Sequence, residues 1–568
     1  MKTQVHIHCA SGRCLDKEPS MILAVGKTRY IIEAPDNLSR NFLSNYFKPD
    51  DVAAIFTTRL FPYSVGISSF SDVIQKKVPI IGPSELNNMS SLLGESYGML
   101  KNSYEDQKIN VQVLKLSKSL SFIVNIKEIP GGFCYEMAKS LGVADETQIK
   151  KLSKRETVIL PDGTEITPEM VFKPNINTFK ILILDITQLE DLQLLPNLSD
   201  FETIIHFTDP SIMILDEYKS RFQHRTNICF FNTQYYYYKS DLFYERFATS
   251  IGFDPLCIET NDDVPEGFIN LKSKESYILI PKSKSPLSEI KDYQKPTEIE
   301  GKLPQCNSIT ILGSFSKSPN SFRCVSGYLL STPYGFVLFD CGCGTLLQIY
   351  RKFGHKIGNE ILSQLKVISI SHSHPDHILG LPNLLITRTK VSNEKLILFA
   401  PKEVKKMIYE INSNITNTNV DFLPYSSTKI FNINFDFQEV THRVQCYATK
   451  ASYDDFSFIF SGDRDSNGLK IDKLGPCDIL LHECTFLDKE KDKADFYIHS
   501  CLSNVLNEGK NVGARNLLLT HFSQRYSTNL LKTDDKDTLF VIDFLTIPLK
   551  ISDEDFERIK NAISNTEL

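Results

Sequence analysis

Apolar positions along this chain recur in two alternating rhythms. Short apolar runs such as SITILGSFS (308–316) read as buried strands, and they give way to helical spacing within a few residues. YGFVLFDCGCGTLLQIY (334–350) is a strand, a Gly-rich turn and the start of a helix. KVISISHSHPDHILGLPNL (366–384) is a second strand, a loop and a helix. TRYIIEAPDNLSRNFLSNY (28–46) and DVAAIFTTRLFPYSVGISSF (51–70) repeat the same two shapes near the beginning. Strands alternating with helices in this way predict layered α/β packing.

The repetition predicts a duplicated scaffold. With Gly66 laid on Gly380, Thr58 falls at His372, Leu60 at His374, Pro62 at Asp376 and Tyr63 at His377, so every ligand-type residue is gone from the first copy. Between the copies, 283–305 is polar, rich in lysine and proline and without periodicity, as expected of a linker. This divides the chain into a domain over 1–282 and another over 306–568. Within the first, residues 129–171 interrupt the pattern with a basic stretch, Lys150, Lys151, Lys154 and Arg155, ahead of an Asp-Gly turn. That stretch reads as a solvated helix face or as a contact for an RNA backbone.

Composition narrows the class. A chain of 568 residues exceeds a single core, and 41% hydrophobic with 23% charged residues is a globular balance. The longest apolar runs fall short of the roughly 18–20 residues that span a bilayer, so no membrane partner is expected. The opening MKTQVHIHCASGRCLDKEPS lacks a signal-peptide core, and thirteen scattered cysteines suit free thiols in a reducing compartment. A net charge of −6 supplies no global positive field, which leaves nucleic-acid binding to local basic surface.

One segment concentrates the chemistry. SHSHPDHILG (371–380) places three of the chain's 12 histidines and an aspartate within six residues. Crowded imidazoles disfavour protonation, whereas a cation binds the neutral rings. A pair of ions needs further ligands, and the ends of later apolar strands offer His442, Asp463 and His521. Glu483 beside His482 in DILLHECTF, and His499 in YIHSCLS, stand out in the same half.

HxHxDH followed by a strand-end His, a strand-end Gly-Asp and a last strand-end His resembles the metallo-β-lactamase superfamily. HECTF, HSC and LTHFSQRY are similar to the HEAT, HST and LTHFSQRY motifs of its ribonuclease Z family. VILPDGTEITPE is similar to a stretch in the degenerate first half of that family's long forms. The resemblance covers most of the chain. It implies two tandem αββα sandwich domains, the first degenerate with an arm-like insertion at 129–171 and the second active. It implies two Zn2+ ions, with Mn2+ or Mg2+ as substitutes: one on His372, His374 and His442, the other on Asp376, His377 and His521, with Asp463 bridging. Asp376 would orient or deprotonate the attacking water, and Glu483 with His499 would pass a proton to the leaving oxygen. Arg323 and Arg525 would contact substrate phosphate.

The implied activity is removal of the 3′ trailer from precursor tRNA, leaving a 3′-hydroxyl on the tRNA and a 5′-phosphate on the trailer. A monomer with an internal pseudo-dimer, needing no second protein, would act in the nucleus, the mitochondrion or both, otherwise in the cytoplasm, and would not be secreted. The sequence departs from the family pattern in places: DCGCGT carries Cys343 where glutamate is usual, Cys501 replaces the HST threonine, and the arm lacks a Gly-Pro signature over 140–155. The alternatives are a hydrolase of the same fold acting on another RNA or a small thioester or lactone, and a binding module with a structural metal. HECTF and YIHSC weigh against the small substrates, and a ligand set rich in His and Asp rather than Cys against the structural metal.

Overall fold

The apolar runs pair into four seven-stranded sheets, two from each half of the chain. The computed structural model describes all residues except 1–4, 12–17, 37, 45–46, 75, 90–102, 174, 176, 224, 231–238, 255, 258–265, 281–286, 289–300, 321, 527–531 and 566–568. Of the expected linker, 283–286 and 289–300 therefore lie outside the described residues, while Leu287–Ser288 forms the edge strand of the first sheet.

The sheets repeat closely; in the first pair six strands correspond, and only the edge strands Leu287–Ser288 and Val420–Leu423 have no counterpart among the described residues. In the first half, Glu275–Ile280, Val5–Ser11, Ser20–Val25 and Thr28–Ile32 pair antiparallel in turn, and Val52–Phe56 and Ile80–Ile81 continue in parallel. In the second half, Thr546–Pro548, Ser308–Gly313, Gly327–Thr332 and Gly335–Cys341 follow the same antiparallel steps. Leu365–Ser369 and Leu396–Phe399 then follow in parallel. The partner sheets match as closely. Phe179–Leu184, Thr203–His206, Thr226–Cys229 and Ile269–Asn270 run parallel in one. Phe456–Phe460, Cys477–Glu483, Ala514–Thr520 and Thr538–Phe540 do so in the other.

The glycines on which the two halves superpose do the same job in each. The Gly66 amide donates to the Ala34 carbonyl at 2.8 Å, and the Gly380 amide to the Cys341 carbonyl at 2.9 Å. A Cβ on Gly66 would lie 2.0 Å from the Pro35 oxygen, and one on Gly380 would lie 2.2 Å from the Gly342 oxygen. Backbone runs so close to backbone at both points that a side chain is excluded.

Each half buries an apolar layer between its two sheets. A further core joins the halves: Leu38, Phe42 and Phe70 of the first pack with Leu346, Ile349 and Leu381 of the second. Each such buried side chain contributes about 1.5–3 kcal/mol over exposure. Arg40 is buried at this seam and donates to Cys324 Sγ at 3.0 Å and Gln348 Oε1 at 3.4 Å. Phe243 and Phe247, on helix Lys239–Ile251, belong to the second half's inner core although they precede it in sequence. The insertion after strand Leu120–Ile126 carries short helices, a two-stranded ribbon and a small core that includes Leu152, Leu160 and Val171. Among the described residues no helix is long and apolar enough to cross a membrane.

At the strand ends of the first half an arginine stands among carboxylates. Arg59 Nε lies 2.7 Å from Asp185 Oδ2, its Nη2 donates to Tyr63 Oη at 3.0 Å, and Thr58 Oγ1 donates to Asp185 Oδ2 at 2.6 Å. Burial raises the pKa of neighbouring Glu33, and Asp185 adds to it. Arg59→Met would leave the fully buried Asp185 without its cation. Breaking a buried pair costs 3–5 kcal/mol, and the partly exposed guanidinium sets the expected loss at ~2–3 kcal/mol. Urea unfolding checks this, and Arg59→Met/Asp185→Asn should recover part of the loss. Parental stability in the single variant would rule the pair out as a support.

Candidate metal centre

The direction of the strands assembles the site. Phe456–Phe460, Cys477–Glu483 and Ala514–Thr520 are parallel, so the residues at their ends, Asp463, Glu483 and His521, emerge at one edge of their sheet. Ile433–Val440 reaches the same edge through two antiparallel steps and delivers His442. The facing sheet contributes the loop after Leu365–Ser369, which carries His372 and His374. Pro375 then starts a one-turn helix bearing Asp376 and His377.

The nitrogens that face one another are specific ones. His374 Nδ1 lies 2.9 Å from His372 Nε2 and 3.2 Å from His442 Nε2. Asp463 Oδ2 lies 3.7 Å from His372 Nε2, 3.4 Å from His377 Nε2 and 3.2 Å from His521 Nε2. Asp376 Oδ2 is 3.6 Å from His377 Nε2 and 3.3 Å from His521 Nε2. One ligand atom each from His372, His374, His442 and Asp463 falls within 4.8 Å of the others, and so it does for Asp376, His377 and His521. His377 Nε2 is buried without a hydrogen-bond partner. Three ring nitrogens turned on one another, and a buried orphan nitrogen between carboxylates, fit cations rather than a hydrogen-bonded network. The donor set is that of a metal cofactor.

Outer contacts lock each ring. His377 Nδ1 is 2.6 Å from Asp340 Oδ2, and Asp340 in turn accepts from the Ser371 amide and hydroxyl at 2.6 and 2.9 Å. His372 Nδ1 meets Ser371 Oγ at 3.0 Å, His521 Nδ1 meets Thr485 Oγ1 at 2.8 Å, and His442 Nδ1 meets the Ile498 carbonyl at 3.1 Å. Such partners fix tautomer and orientation and raise ligand basicity. Asp340, Ser371 and Thr485 were not singled out by sequence, although Asp340 heads the DCGCGT turn. Asp340 and His521 both have positive φ, 54° and 59°. This left-handed conformation is uncommon outside glycine, though Asp and His adopt it more readily than most, and it is held here by the surrounding contacts.

Charge follows the same division. Burial and neighbouring imidazoles drive His372 well below its usual pKa. Burial, together with His442, also lowers His374, to about 4. Burial opposes charge on His377 as well, but Asp463, Asp376 and Asp340 outweigh it and raise its pKa. Burial likewise opposes ionisation of Asp376 and Asp463, yet the surrounding histidines hold both well below the usual carboxylate range.

Glu483 and His499 pair beside this cluster, with Oε1 3.0 Å from Nδ1. Glu483 also accepts from the Ser500 amide at 2.9 Å and from Thr485 Oγ1 at 2.7 Å. Against the cost of burial, His499 holds Glu483 at a pKa of about 2, and Glu483 lifts His499 to about 9. His482 points the opposite way and meets Glu508 at 3.2 Å, as strand alternation requires.

The two arginines differ. Arg525 is exposed at the rim, its guanidinium 5.3 Å from the Phe486 ring and 3.8 Å from Glu490. Arg323 does not reach the open face. It is 4% exposed, lies 5.4 Å from the rings of both Phe315 and Phe522, and donates to Ser314 Oγ and the Val541 carbonyl at 3.3 Å. The expected phosphate contact at this position is corrected to an interior packing role beneath the site, where Asp543 is the nearby counter-charge.

Known proteins resemble this chain in sequence and fold. A family model described as "Anti-Pycsar protein Apyc1" matches residues 309–542. Mitochondrial ribonuclease Z of Drosophila melanogaster is 30% identical over 299 residues, covering 49% of this chain and 36% of that protein. Mitochondrial ribonuclease Z 2 of Schizosaccharomyces pombe is 27% identical over 468 residues, covering 73% and 67%. Ribonuclease Z 1 of the same yeast is 25% identical, covering 76% of this chain and 64% of its own length. The chain thus spans about a third to two thirds of these relatives. The crystal structure of a long-form RNase Z from yeast superposes with a TM-score of 0.72 at 15% identity, over 98% of this chain and 100% of that one. The chain shares the fold and the tandem layout of the long-form yeast RNase Z crystal structure, and in sequence it is similar to proteins named ribonuclease Z.

Proposed function

We propose that the chain is an endoribonuclease that removes the 3′ trailer from precursor tRNA, leaving a 3′-hydroxyl on the tRNA and a 5′-phosphate on the trailer. The observation that carries this reading is the Glu483–His499 pair, 3.0 Å apart, set against a cluster of metal-type ligands. Hydrolysis of a phosphodiester needs a nucleophile on one side and a proton on the other, and the two groups divide that work. Relatives with substantial identity are named ribonuclease Z.

In this reading His372, His374 and His442 hold one zinc, Asp376, His377 and His521 hold a second, and Asp463 serves both; Mn2+ or Mg2+ would substitute. Bound there, the metals lower the pKa of water and neutralise phosphate oxygens. Asp376 accepts the Lys317 amide at 2.6 Å, which fixes its carboxylate to orient the attacking water or take its proton. Glu483 keeps His499 protonated so that its ring can donate to the departing 3′-oxygen. Arg525 contacts phosphate at the rim. The insertion at 129–171, with its exposed Lys150, Lys151 and Lys154, docks the tRNA body.

The division into 1–282, a connector over 283–305 and 306–568, in one chain acting as its own pseudo-dimer, completes the proposal. Two of the relatives are named as mitochondrial, which favours a mitochondrial location.

The deciding experiment maps the ends of products from a precursor tRNA with a 3′ trailer. A single cut after the discriminator nucleotide is expected, lost on chelation and reduced at least ~1000-fold in Asp376→Ala, the scale of a missing catalytic group. Metal-replete, folded protein that leaves the substrate whole would move the activity to another phosphodiester. Asp340→Ala should weaken zinc binding about 10–100-fold while His377 stays in place. Competition with a chromogenic chelator reads this directly, and parental affinity would remove Asp340 from the site.

A further inference from the structure

Aromatic surface continues outward from the Glu483–His499 pair. Phe486, 6.2 Å from the His499 ring, stacks on Tyr497 at 6.1 Å with the planes only 12° apart, and Tyr497 meets Phe496 edge-on at 5.0 Å. Phe496 is 70% exposed and Tyr497 44%, two adjacent rings presented to solvent at the mouth of a polar site. The Arg443 guanidinium lies 5.8 and 5.5 Å from these two rings and donates to the Phe496 carbonyl at 3.0 Å.

The rim is tied to the metal-type ligands through backbone. Helix Lys491–Tyr497 ends at Ile498, whose φ of 61° turns the chain so that its carbonyl accepts from His442 Nδ1 at 3.1 Å. The next residue is His499 itself, its amide bonded to the Ala494 carbonyl at 3.0 Å. Arg443 follows His442 directly. Both sides of the aromatic rim are therefore held in register with His442 of the ligand cluster and with His499.

We propose that Phe496 and Tyr497, flanked by Arg443, form a stacking platform for the unpaired nucleotide whose 3′-oxygen departs, the last nucleotide of the tRNA body. This rests on the tRNA reading above. Flat apolar faces beside a guanidinium match a nucleobase joined to a phosphate, and every base offers such a face. The side is set by His499, the group placed to protonate the departing 3′-oxygen, which adjoins the rim. A stacked base there would hold that oxygen against the proton donor and add affinity without reading sequence.

The test is single-turnover cleavage of two substrates, precursor tRNA with its natural last nucleotide and the same RNA abasic at that position. Aromatic stacking supports a loss of about 5–100-fold in kcat/KM for Phe496→Ala/Tyr497→Ala on the natural substrate. The unaltered protein should lose a similar factor on the abasic RNA, and the double variant should lose little more there. Phe496→Tyr should restore most of the rate. Independent losses that multiply, or an unaltered protein that cuts abasic and natural RNA alike, would overturn the platform. The second comparison needs no variant to fold. No cutting of either RNA by unaltered, zinc-loaded protein would overturn the tRNA reading, and the platform with it.

Discussion

Carboxylates and imidazoles gathered at a dry sheet edge repel or starve one another unless a positive charge sits among them. This constraint organises both halves of the molecule. In the second half the donor set is that of a metal cofactor: ring nitrogens converge on one another, and Asp463 lies within 4 Å of four of them. In the first half the same edge holds Asp185 and Glu33, and Arg59 provides the charge covalently. The Arg59–Asp185 pair is thus a solution to the same electrostatic problem with a fixed side chain in place of a removable ion.

The two solutions share a scaffold down to backbone detail. Glu33 just past the end of its strand and Asp340 next to last in its own both lie in the left-handed region, with φ of 64° and 54°, and each is fully buried. Asp340 receives the Ser371 amide, and Glu33 receives the Thr58 amide at 3.0 Å. A carboxylate at this corner satisfies the amide of the following strand's loop whether or not a histidine stands next to it. Its conserved geometry therefore belongs to the fold, and only the Asp340–His377 contact adds the chemistry.

Much of this was legible in the sequence, for physical reasons that also mark where it stopped. HxHPDH is legible because its metal-type side chains are contiguous and proline starts their helix. His442, Asp463 and His521 are legible because each is a polar residue closing an apolar strand. Asp340, Ser371 and Thr485 were missed because the contacts that join them to Asp340, His377, His499 and His521 span 14 to 37 positions of chain. Arg323 was misassigned because PNSFRCVSG does not reveal which way its side chain turns; two phenylalanines and a buried carboxylate draw it inward. The duplication was readable from two glycines, since a position with no room for a Cβ stays glycine after the ligands around it are gone.

The core that crosses between the halves bears on how such a chain can change over time. Phe42 and Phe70 of the first half fill space against Leu346 and Leu381 of the second, and Arg40 is sealed between them. Deleting the first half would strip a hydrophobic face and leave buried polar partners exposed, so a shorter gene would first have to rebuild that face, most simply by self-association. The first half, which among the described residues carries no cluster of metal-type ligands at this edge, is tied by that packing to keep its shape.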